Sequence, residues 1–318
     1  MATTPKLTSP VPVVAPAVDA SGAIAVADVE VALESLSQWQ LAWRRFKRHK
    51  MALMGLGIFG VMVGIAILGP ILIPYNPLDI PGSPIPGGTG PAANHFFGTD
   101  NNGRDVFTTV LNGARISVAI GFFSMSIAGL TGVIIGAVSG FAGGIVDNLL
   151  MRLVDVLFAI PFLFVILVAA RFFGQGSVVA LILIFGLLSW PLIARLVRAS
   201  FLSLREADFV EAARAVGVSN VRITFRHILP NALGPVIVAM TLLMASNIVL
   251  EAFVSYLGFG ISEDQTSWGN ALSNAQTALI FGNWWWAFFP GMAIALTVLS
   301  INFIGDGLRD ALDPRARV

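Results

Sequence analysis

The sequence contains no cysteine in 318 residues, and charged residues make up only 12% of it. The absence of cysteine excludes a disulfide framework, a thiolate metal site and a cysteine nucleophile. A soluble domain carries roughly 25% charged residues, and a disordered chain is poor in apolar residues and rich in charge, so both classes are excluded. The net charge of +1 argues against a nucleic-acid-binding protein, which would carry a strong basic excess.

Apolar residues are abundant instead, at 56% of the chain with a mean hydropathy of +0.82. A helix that crosses a bilayer needs about 20 mostly apolar residues. The segments that meet or approach this length are residues 52–74, 116–142, 149–170, 178–194, 233–257 and 284–305. Pro161 interrupts the third segment and Pro191 the fourth. We predict an all-α polytopic membrane protein with six transmembrane helices.

Glycines recur at a spacing of four residues in two of these spans. Gly132, Gly136 and Gly140 follow this spacing, and Gly60 and Gly64 repeat it once. Small residues at this spacing let helix backbones approach closely in lipid. The pattern predicts a packed helix bundle rather than isolated membrane anchors.

The basic residues are distributed unevenly between the predicted loops, and cytoplasmic loops carry an excess of Lys and Arg. Of the 19 Lys and Arg residues, Arg104, Arg115 and Arg171 lie on one side of the membrane and Lys6 lies in the N-terminal tail. All the others lie on the opposite side, which is therefore predicted to be cytoplasmic. Both termini are then cytoplasmic, as an even number of spans requires.

The N-terminal part divides into a tail and a membrane-associated unit. Residues 1–33 lack the basic and apolar regions of a signal peptide, and we predict a disordered cytoplasmic tail. Residues 34–115 are predicted to form an interfacial amphipathic helix, the first transmembrane helix and a Pro/Gly-rich outer loop. The aromatic side chains that we expect at the membrane interfaces are Trp39 and Trp43 on the inner side and Trp284, Trp285 and Trp286 on the outer side.

Two outer loops are long enough to have structure of their own. Residues 95–105 are rich in Asp and Asn, but they lack the spacing and the bidentate Glu of a calcium loop, so we interpret them as a turn-rich structural cap. Residues 258–283 could line the outer mouth of a pathway or form a re-entrant segment. The sequence leaves both possibilities open.

The inner loop, residues 199–230, has apolar residues at helical spacing among its charges. We predict one helix over residues 203–217, with Gly217 as its C-terminal cap. A second short helix is predicted from about Ser219, whose hydroxyl can cap it, to Pro230. From physical reasoning alone, a solvated basic loop that only fixes orientation is an equal alternative.

At this inner loop the sequence resembles the binding-protein-dependent ABC importer permeases. The segment Glu211-Ala212-Ala213, Gly217 and the pair Leu229-Pro230 look like the EAA loop of that family, although His227 stands where the family pattern usually has Ile. Residues 98–105, 205–213, 267–269 and 305–315 resemble the C-type permease subunit of dipeptide and oligopeptide importers. The resemblance extends from about Trp43 to the C-terminus.

The resemblance implies a type I ABC importer permease fold, with a five-helix core at residues 116–318 and a cytoplasmic coupling loop at 199–230. It also implies a multi-pass protein of the bacterial cytoplasmic membrane that works with a homologous second permease, two ATPase subunits and an extracytoplasmic substrate-binding protein. The residues that it assigns to ATPase coupling are Arg205, Asp208, Glu211, Ala212, Ala213, Arg214, Gly217, Leu229 and Pro230. No catalytic, metal-binding or substrate-binding residue is assigned.

The sequence contains no Gly-x4-Gly-Lys-Ser/Thr phosphate loop, so this chain is not expected to bind ATP itself. ATP and Mg²⁺ would bind to the partner ATPases. We expect a permease, not an enzyme, that moves di- or oligopeptides by alternating access. The same type of complex could instead carry a nickel chelate, glutathione or haem. An ion-coupled secondary transporter is a further alternative, but such proteins favour inverted repeats, and no clear repeat is present.

Two carboxylates fall inside the predicted spans. Glu251 and Asp155 both lie near span ends, and an ionisable group within a membrane span calls for a functional hypothesis. We predict that these carboxylates hydrogen-bond to a neighbouring helix or loop rather than contact substrate.

Overall fold

The computed structural model describes residues 38–72, 88–173, 176–262, 265–280 and 282–312. The predicted tail, residues 1–33, lies outside these ranges. Within them the chain is almost entirely helical, and β-pairing is limited to three isolated bridges. The helices are α1 (Gln38–Phe46), α2 (Lys50–Leu72), α3 (Val106–Ala142), α4 (Gly144–Ala159), α5 (Phe162–Phe173), α6 (Val178–Arg205), α7 (Asp208–Ala215), α8 (Asn220–Tyr256), α9 (Trp268–Ile280) and α10 (Trp285–Leu312).

Five of these helices, α2, α3, α6, α8 and α10, are long and apolar enough to cross a membrane. The pair α4 and α5 provides a sixth span if it is counted as one. The all-α architecture is confirmed, and the predicted six spans agree with the structure on that count.

The third predicted span, residues 149–170, is bent rather than straight. The axes of α4 and α5 differ by 84°. Ile160 between them is extended, with φ −89° and ψ 133°, because a proline disfavours helical backbone in the residue that precedes it. Pro161 therefore ends α4, and the third predicted span is bent at the proline that interrupts its sequence.

Several helices are longer than their apolar segments. Helix α3 begins ten residues before the predicted span, where the side chain of Asp105 accepts a hydrogen bond from the backbone N–H of Thr108. This cap satisfies a free amide of the first turn. Helices α6 and α10 likewise continue past residues 194 and 305. The apolar segment marks the part of a helix suited to lipid, and the helix itself continues into polar sequence.

The glycine repeat of α3 forms its contact with α6. A Cβ atom at Gly132 would lie 2.6 Å from the Cβ of Ile193, and one at Gly136 would lie 2.5 Å from the carbonyl oxygen of Ala194. Only glycine permits this approach. The repeat in α2 behaves differently, because no atom lies within 4 Å of a Cβ built at Gly60 or Gly64. The predicted packing role is therefore wrong for α2 within the described chain.

The bundle has two ends that differ in character. One end, called here the basic end, carries α1, the last turns of α6 and α10, α7 and the start of α8. There Ala42 and Phe46 of α1 pack with Ala52 and Ala311. The opposite end carries the loop of residues 88–105, the start of α10 and helix α9.

The loop at the opposite end is a set of turns, as the structural-cap interpretation predicts. Asp100 Oδ1 accepts hydrogen bonds from the backbone N–H groups of Asn102 and Arg104, both at 2.8 Å. The indole Nε1 of Trp286 donates to the carbonyl oxygen of Thr99 at 2.7 Å. Trp286 is buried against this loop and Trp284 is exposed; the depth of both indoles relative to the lipid headgroups stays a prediction.

Candidate functional site

The predicted coupling loop contains a short helix that is separate from its neighbours. Helix α6 ends at Arg205 and α7 occupies Asp208–Ala215. Between them Ala207 is extended, with φ −78° and ψ 145°, so the prediction of one helix over residues 203–217 is wrong. Asp208 and Glu211 lie in the first turn of α7 and Arg214 in the last. Negative charge near the N-terminus and positive charge near the C-terminus interact favourably with the helix dipole.

Helix α7 ends in a tight turn at Gly217, which has φ +78°. The N–H of Gly217 donates to the carbonyl of Arg214 at 2.9 Å, and the N–H of Val218 donates to that of Ala213 at 3.1 Å. This pair of bonds is the Schellman motif, which favours glycine at the left-handed position. The predicted capping position of Gly217 is confirmed.

One face of α7 is buried in the bundle. Val210 and Ala213 pack in a core cluster with Phe201 of α6 and Ile223 and Ile228 of α8. The spacing of three residues between Val210 and Ala213 places both side chains on the same helix face. A displacement of α7 must therefore displace the ends of α6 and α8.

The second predicted helix is the first part of α8. Helix α8 runs without interruption from Asn220, and residues Ile223–Ile228 form a π-helical segment. Ser219 makes no side-chain capping bond, so its predicted capping role is wrong. Leu229 is half-buried and Pro230 exposed. After the π-helical segment the α-helical backbone begins at Leu229, with Pro230 in its first turn. π-Helical turns are rare and often occur at functional sites.

The outward side of this segment exposes large apolar groups. Phe209, Val216, Val221 and Phe225 are exposed, Val216 to 79% and Phe225 to 65%. A cleft beside them is lined by Arg205, Glu206, Glu211 and Arg214, together with Phe141 and Asn220. We call the outward side of residues 205–226 the coupling surface. Asp208 and Ala212 are also exposed there. An apolar patch rimmed by charges is typical of a protein interaction site.

An ion pair that the sequence did not reveal supports this end of the bundle. Asp147 of α4 accepts hydrogen bonds from Arg198 of α6, with Nε–Oδ1 at 2.5 Å and Nη2–Oδ2 at 2.6 Å. Ser139 of α3 donates to the same carboxylate at 2.5 Å. Bidentate pairs of this kind fix orientation as well as contributing energy. The ends of α3, α4 and α6 are thereby held together next to the coupling surface.

At the opposite end Glu251 of α8 is fully buried. Its carboxylate accepts hydrogen bonds from Ser117 of α3 at 2.9 Å, from Ser255 at 2.8 Å and from Ser267 at 2.7 Å. The prediction that Glu251 bonds to a neighbouring helix and loop is confirmed. The second predicted residue, Asp155, forms an ion pair with Arg195 of α6.

Residues 258–283, which the sequence left open between two interpretations, contain α9. This helix has 13 residues, fewer than a membrane span needs. Its first residue, Trp268, is buried, and its indole Nε1 donates to the carbonyl of Val110 at 2.8 Å. Helix α9 is thus a short helix held against α3 at the opposite end.

Five or six apolar helices long enough to cross a bilayer are typical of a polytopic membrane protein. Residues 132–318 match the family described as the binding-protein-dependent transport system inner membrane component. Residues 37–83 match the N-terminal TM domain of oligopeptide transport permease C. The chain belongs to the first of these families, and it is a multi-pass inner membrane protein.

Curated relatives match almost the whole chain. The dipeptide transport system permease protein DppC of Bacillus subtilis is 39% identical over 287 residues, which cover 89% of this chain and 88% of the relative. The oligopeptide transport system permease protein OppC of the same organism is 38% identical over 290 residues, covering 91% and 93%. OppC of Haemophilus influenzae is 39% identical over 288 residues, covering 91% and 92%.

A solved structure shares the fold. An inward-facing structure of the MetNI methionine ABC transporter superposes with a TM-score of 0.52 at 20% identity, covering 65% of this chain and 97% of the matched chain. The predicted type I ABC importer permease fold is therefore confirmed.

Proposed function

We propose that this chain is the C-type permease subunit of an ATP-driven importer of di- or oligopeptides. The relatives described above are dipeptide and oligopeptide permeases, and this supports peptides rather than nickel chelates, glutathione or haem as the solute. The partners that we propose are a homologous second permease, two ATPase subunits and an extracytoplasmic substrate-binding protein. ATP and Mg²⁺ would bind to the ATPases.

The observation that carries this proposal is the coupling surface. Its exposed apolar side chains and mixed charges suit docking to a soluble subunit, while Val210 and Ala213 tie α7 to the bundle. When the ATPases move, they would displace α7 as a rigid body, and α7 would displace the helices against which it packs. Helices α6 and α8 continue from this end to the opposite end, and the close contact of α3 with α6 at Gly136 would carry α3 with them.

The proposed mechanism requires the coupling surface to face the cytoplasm, where ATP is available. The basic end carries Arg44, Arg205, Arg214, Arg222 and Arg226, among others. An excess of basic residues marks the cytoplasmic side. We therefore propose that the basic end and both termini are cytoplasmic.

The composition of the complex is tested by purification of the tagged chain in mild detergent, with identification of the copurifying proteins by mass. We expect two ATPase subunits and a second permease, together with a binding protein whose bound ligand is a peptide. A chain that purifies alone or as a homo-oligomer would contradict the proposal and would favour an ion-coupled transporter.

The docking role is tested by charge reversal at Glu211 in the reconstituted complex. Glu211 is exposed and lines the cleft, and opposed like charges at an interface cost several kcal/mol. Glu211→Arg should reduce ATP-driven peptide uptake more than about tenfold and weaken retention of the ATPases. The matched control is Asp306→Arg, a reversal at an exposed acid of α10. Unchanged uptake with Glu211→Arg would refute docking at α7.

A further inference from the structure

The opposite end contains a cavity of about 420 Å³ between α5, the end of α8 and the start of α9. This volume lies in the range of roughly 300–1,000 Å³ typical of small-molecule sites. Its polar lining side chains are Arg171, Ser255, Ser262, Asn270, Ser273 and Asn274. The coupling surface lies at the other end of the bundle, so this cavity is separate from it.

The walls of the cavity are held in place by backbone contacts. Gly176 and Ile261 form an isolated parallel bridge, and the Oγ of Ser262 donates to the carbonyl of Gly176 at 3.4 Å. The Nδ2 of Asn270 donates to the carbonyls of Ser262 and Gln265, at 3.2 and 3.1 Å. These bonds use the amide nitrogen of Asn270, and its oxygen, which forms no hydrogen bond within the described part of the chain, can accept one from a ligand N–H.

Arg171 is the charged side chain among the described residues that line the cavity. It lies in the last turn of α5, and within the part of the chain that the structure describes no carboxylate forms an ion pair with it. The guanidinium group presents a rigid fork of donors that matches a carboxylate. Asn274 and Ser273 provide further neutral polar groups on the same side of α9. Together these groups suit a ligand with one carboxylate and several amides.

We propose that this cavity is a subsite for the C-terminal carboxylate of a peptide in transit, with Arg171 as its ligand-binding cation. The inference rests on the proposed function, because a peptide substrate presents a C-terminal carboxylate. The amide side chains bind main-chain N–H and C=O groups, which every peptide has, so the subsite recognises the peptide terminus and not its sequence.

The test measures ATP-driven uptake by the complete reconstituted complex of one tripeptide with a free C-terminus and of the same tripeptide as its C-terminal amide. Arg171→Gln should lower uptake of the free acid about tenfold, as expected for the loss of a hydrogen bond to a charged group. Uptake of the amide should remain near the wild-type rate. The binding protein is the same in every assay, so its own preference cancels in the variant-to-wild-type ratio.

Two further variants keep the test decisive. Asn274→Asp places a negative charge in the cavity and should also reduce uptake of the acid more than that of the amide. Arg115→Gln removes an exposed arginine of α3 that does not line the cavity and should leave both rates unchanged. A selective loss with Arg171→Gln and Asn274→Asp supports the subsite.

Other outcomes overturn the inference in distinguishable ways. Equal losses for both tripeptides would show that Arg171 stabilises the fold or contacts the binding protein instead of the carboxylate. No loss for either tripeptide would show that the cavity is not on the route of the peptide. If the wild-type complex takes up neither tripeptide, the proposed function itself fails and the subsite fails with it.

Discussion

At the scale of single residues, Glu251 is held in place by three helices or loops at once. Three serine hydroxyls, from α3, from α8 and from the residue that precedes α9, donate to its carboxylate. The carboxyl oxygens give each of the three hydroxyls an acceptor, as buried polar groups require. The residue thus fixes α9 against α3 and α8.

Replacement of Glu251 by leucine should lower the thermal stability of the purified chain markedly. The change removes the acceptor of three buried hydroxyls, and each unsatisfied group costs about 1–3 kcal/mol. Glu251→Gln keeps one acceptor oxygen and should cost less. The midpoint of thermal unfolding in detergent measures both effects, with Asp306→Asn, a change at an exposed position of α10, as the control. Equal midpoints for wild type and Glu251→Leu would show that these bonds do not stabilise the fold.

Asp100 in the loop at the opposite end gives a prediction on pH. Burial raises the pKa of this carboxyl above its ordinary value of 3.8, although the backbone N–H groups of Arg104 and Asn102 oppose the shift. A raised pKa in the folded state favours the protonated form, so this contribution to stability is fully present below pH 3.8 and is lost as the pH rises through the folded value.

Asp100→Asn should therefore be at least as stable as wild type at pH 7, because asparagine keeps the acceptor oxygen without the charge. The advantage should disappear at about pH 3, where the aspartate is protonated. Thermal unfolding of both proteins across this range measures the difference. A variant that is less stable than wild type at pH 7 would show that the charge itself holds the turn.

At the scale of helices, apolar segments predict the spans α2, α3, α6, α8 and α10 because lipid requires about 20 apolar residues in a row. The break at Ala207 was not predictable, since the residues on both sides keep a helical spacing. The ion pair of Asp147 with Arg198 joins residues 51 apart, and the bond from Ser117 to Glu251 joins residues 134 apart. Such contacts depend on the packing of whole helices and leave no local pattern.

Some features of the coupling surface were likewise predictable from the sequence and others were not. Gly217 was predictable as a cap because its conformation is determined by the adjacent turn. The exposure of Phe209 and Phe225 was not predictable, because a helical apolar stripe gives no information on whether a neighbouring helix covers it. The sequence did not predict that α8 continues through Leu229 and Pro230. This continuity depends on the π-helical segment before them, and no residue type in that segment indicates a π-helix.

The glycines of α2 and α3 should respond in opposite ways to alanine. Gly136→Ala places a Cβ 2.5 Å from the carbonyl oxygen of Ala194, and overpacking of this kind costs about 1–3 kcal/mol. Gly64→Ala meets no atom within 4 Å and should stabilise the helix by about 0.5–1 kcal/mol. Thermal unfolding of the isolated chain compares the two variants. A loss of stability with Gly64→Ala as large as that with Gly136→Ala would contradict the assignment of the α3–α6 contact.

At the scale of the whole molecule, the asymmetry of charge predicts which end faces the cytoplasm. The native chain has no cysteine, so one introduced thiol is the only target for a maleimide that cannot cross membranes. Phe96 is exposed in the loop at the opposite end, and Asp310 is exposed at the basic end. Phe96→Cys should react in intact cells, whereas Asp310→Cys should react only after the membrane is permeabilised.

The cysteine-free wild type provides the background for this labelling. Val216→Cys places a thiol on the coupling surface and should behave like Asp310→Cys, with additional protection when the ATPases are bound. That protection distinguishes a surface that is covered by a partner from one that is only on the inner side. The reverse labelling pattern would place the coupling surface outside the cell, where no cytoplasmic ATPase can reach it. The orientation and the proposed coupling mechanism would then both be wrong, because the mechanism depends on that orientation.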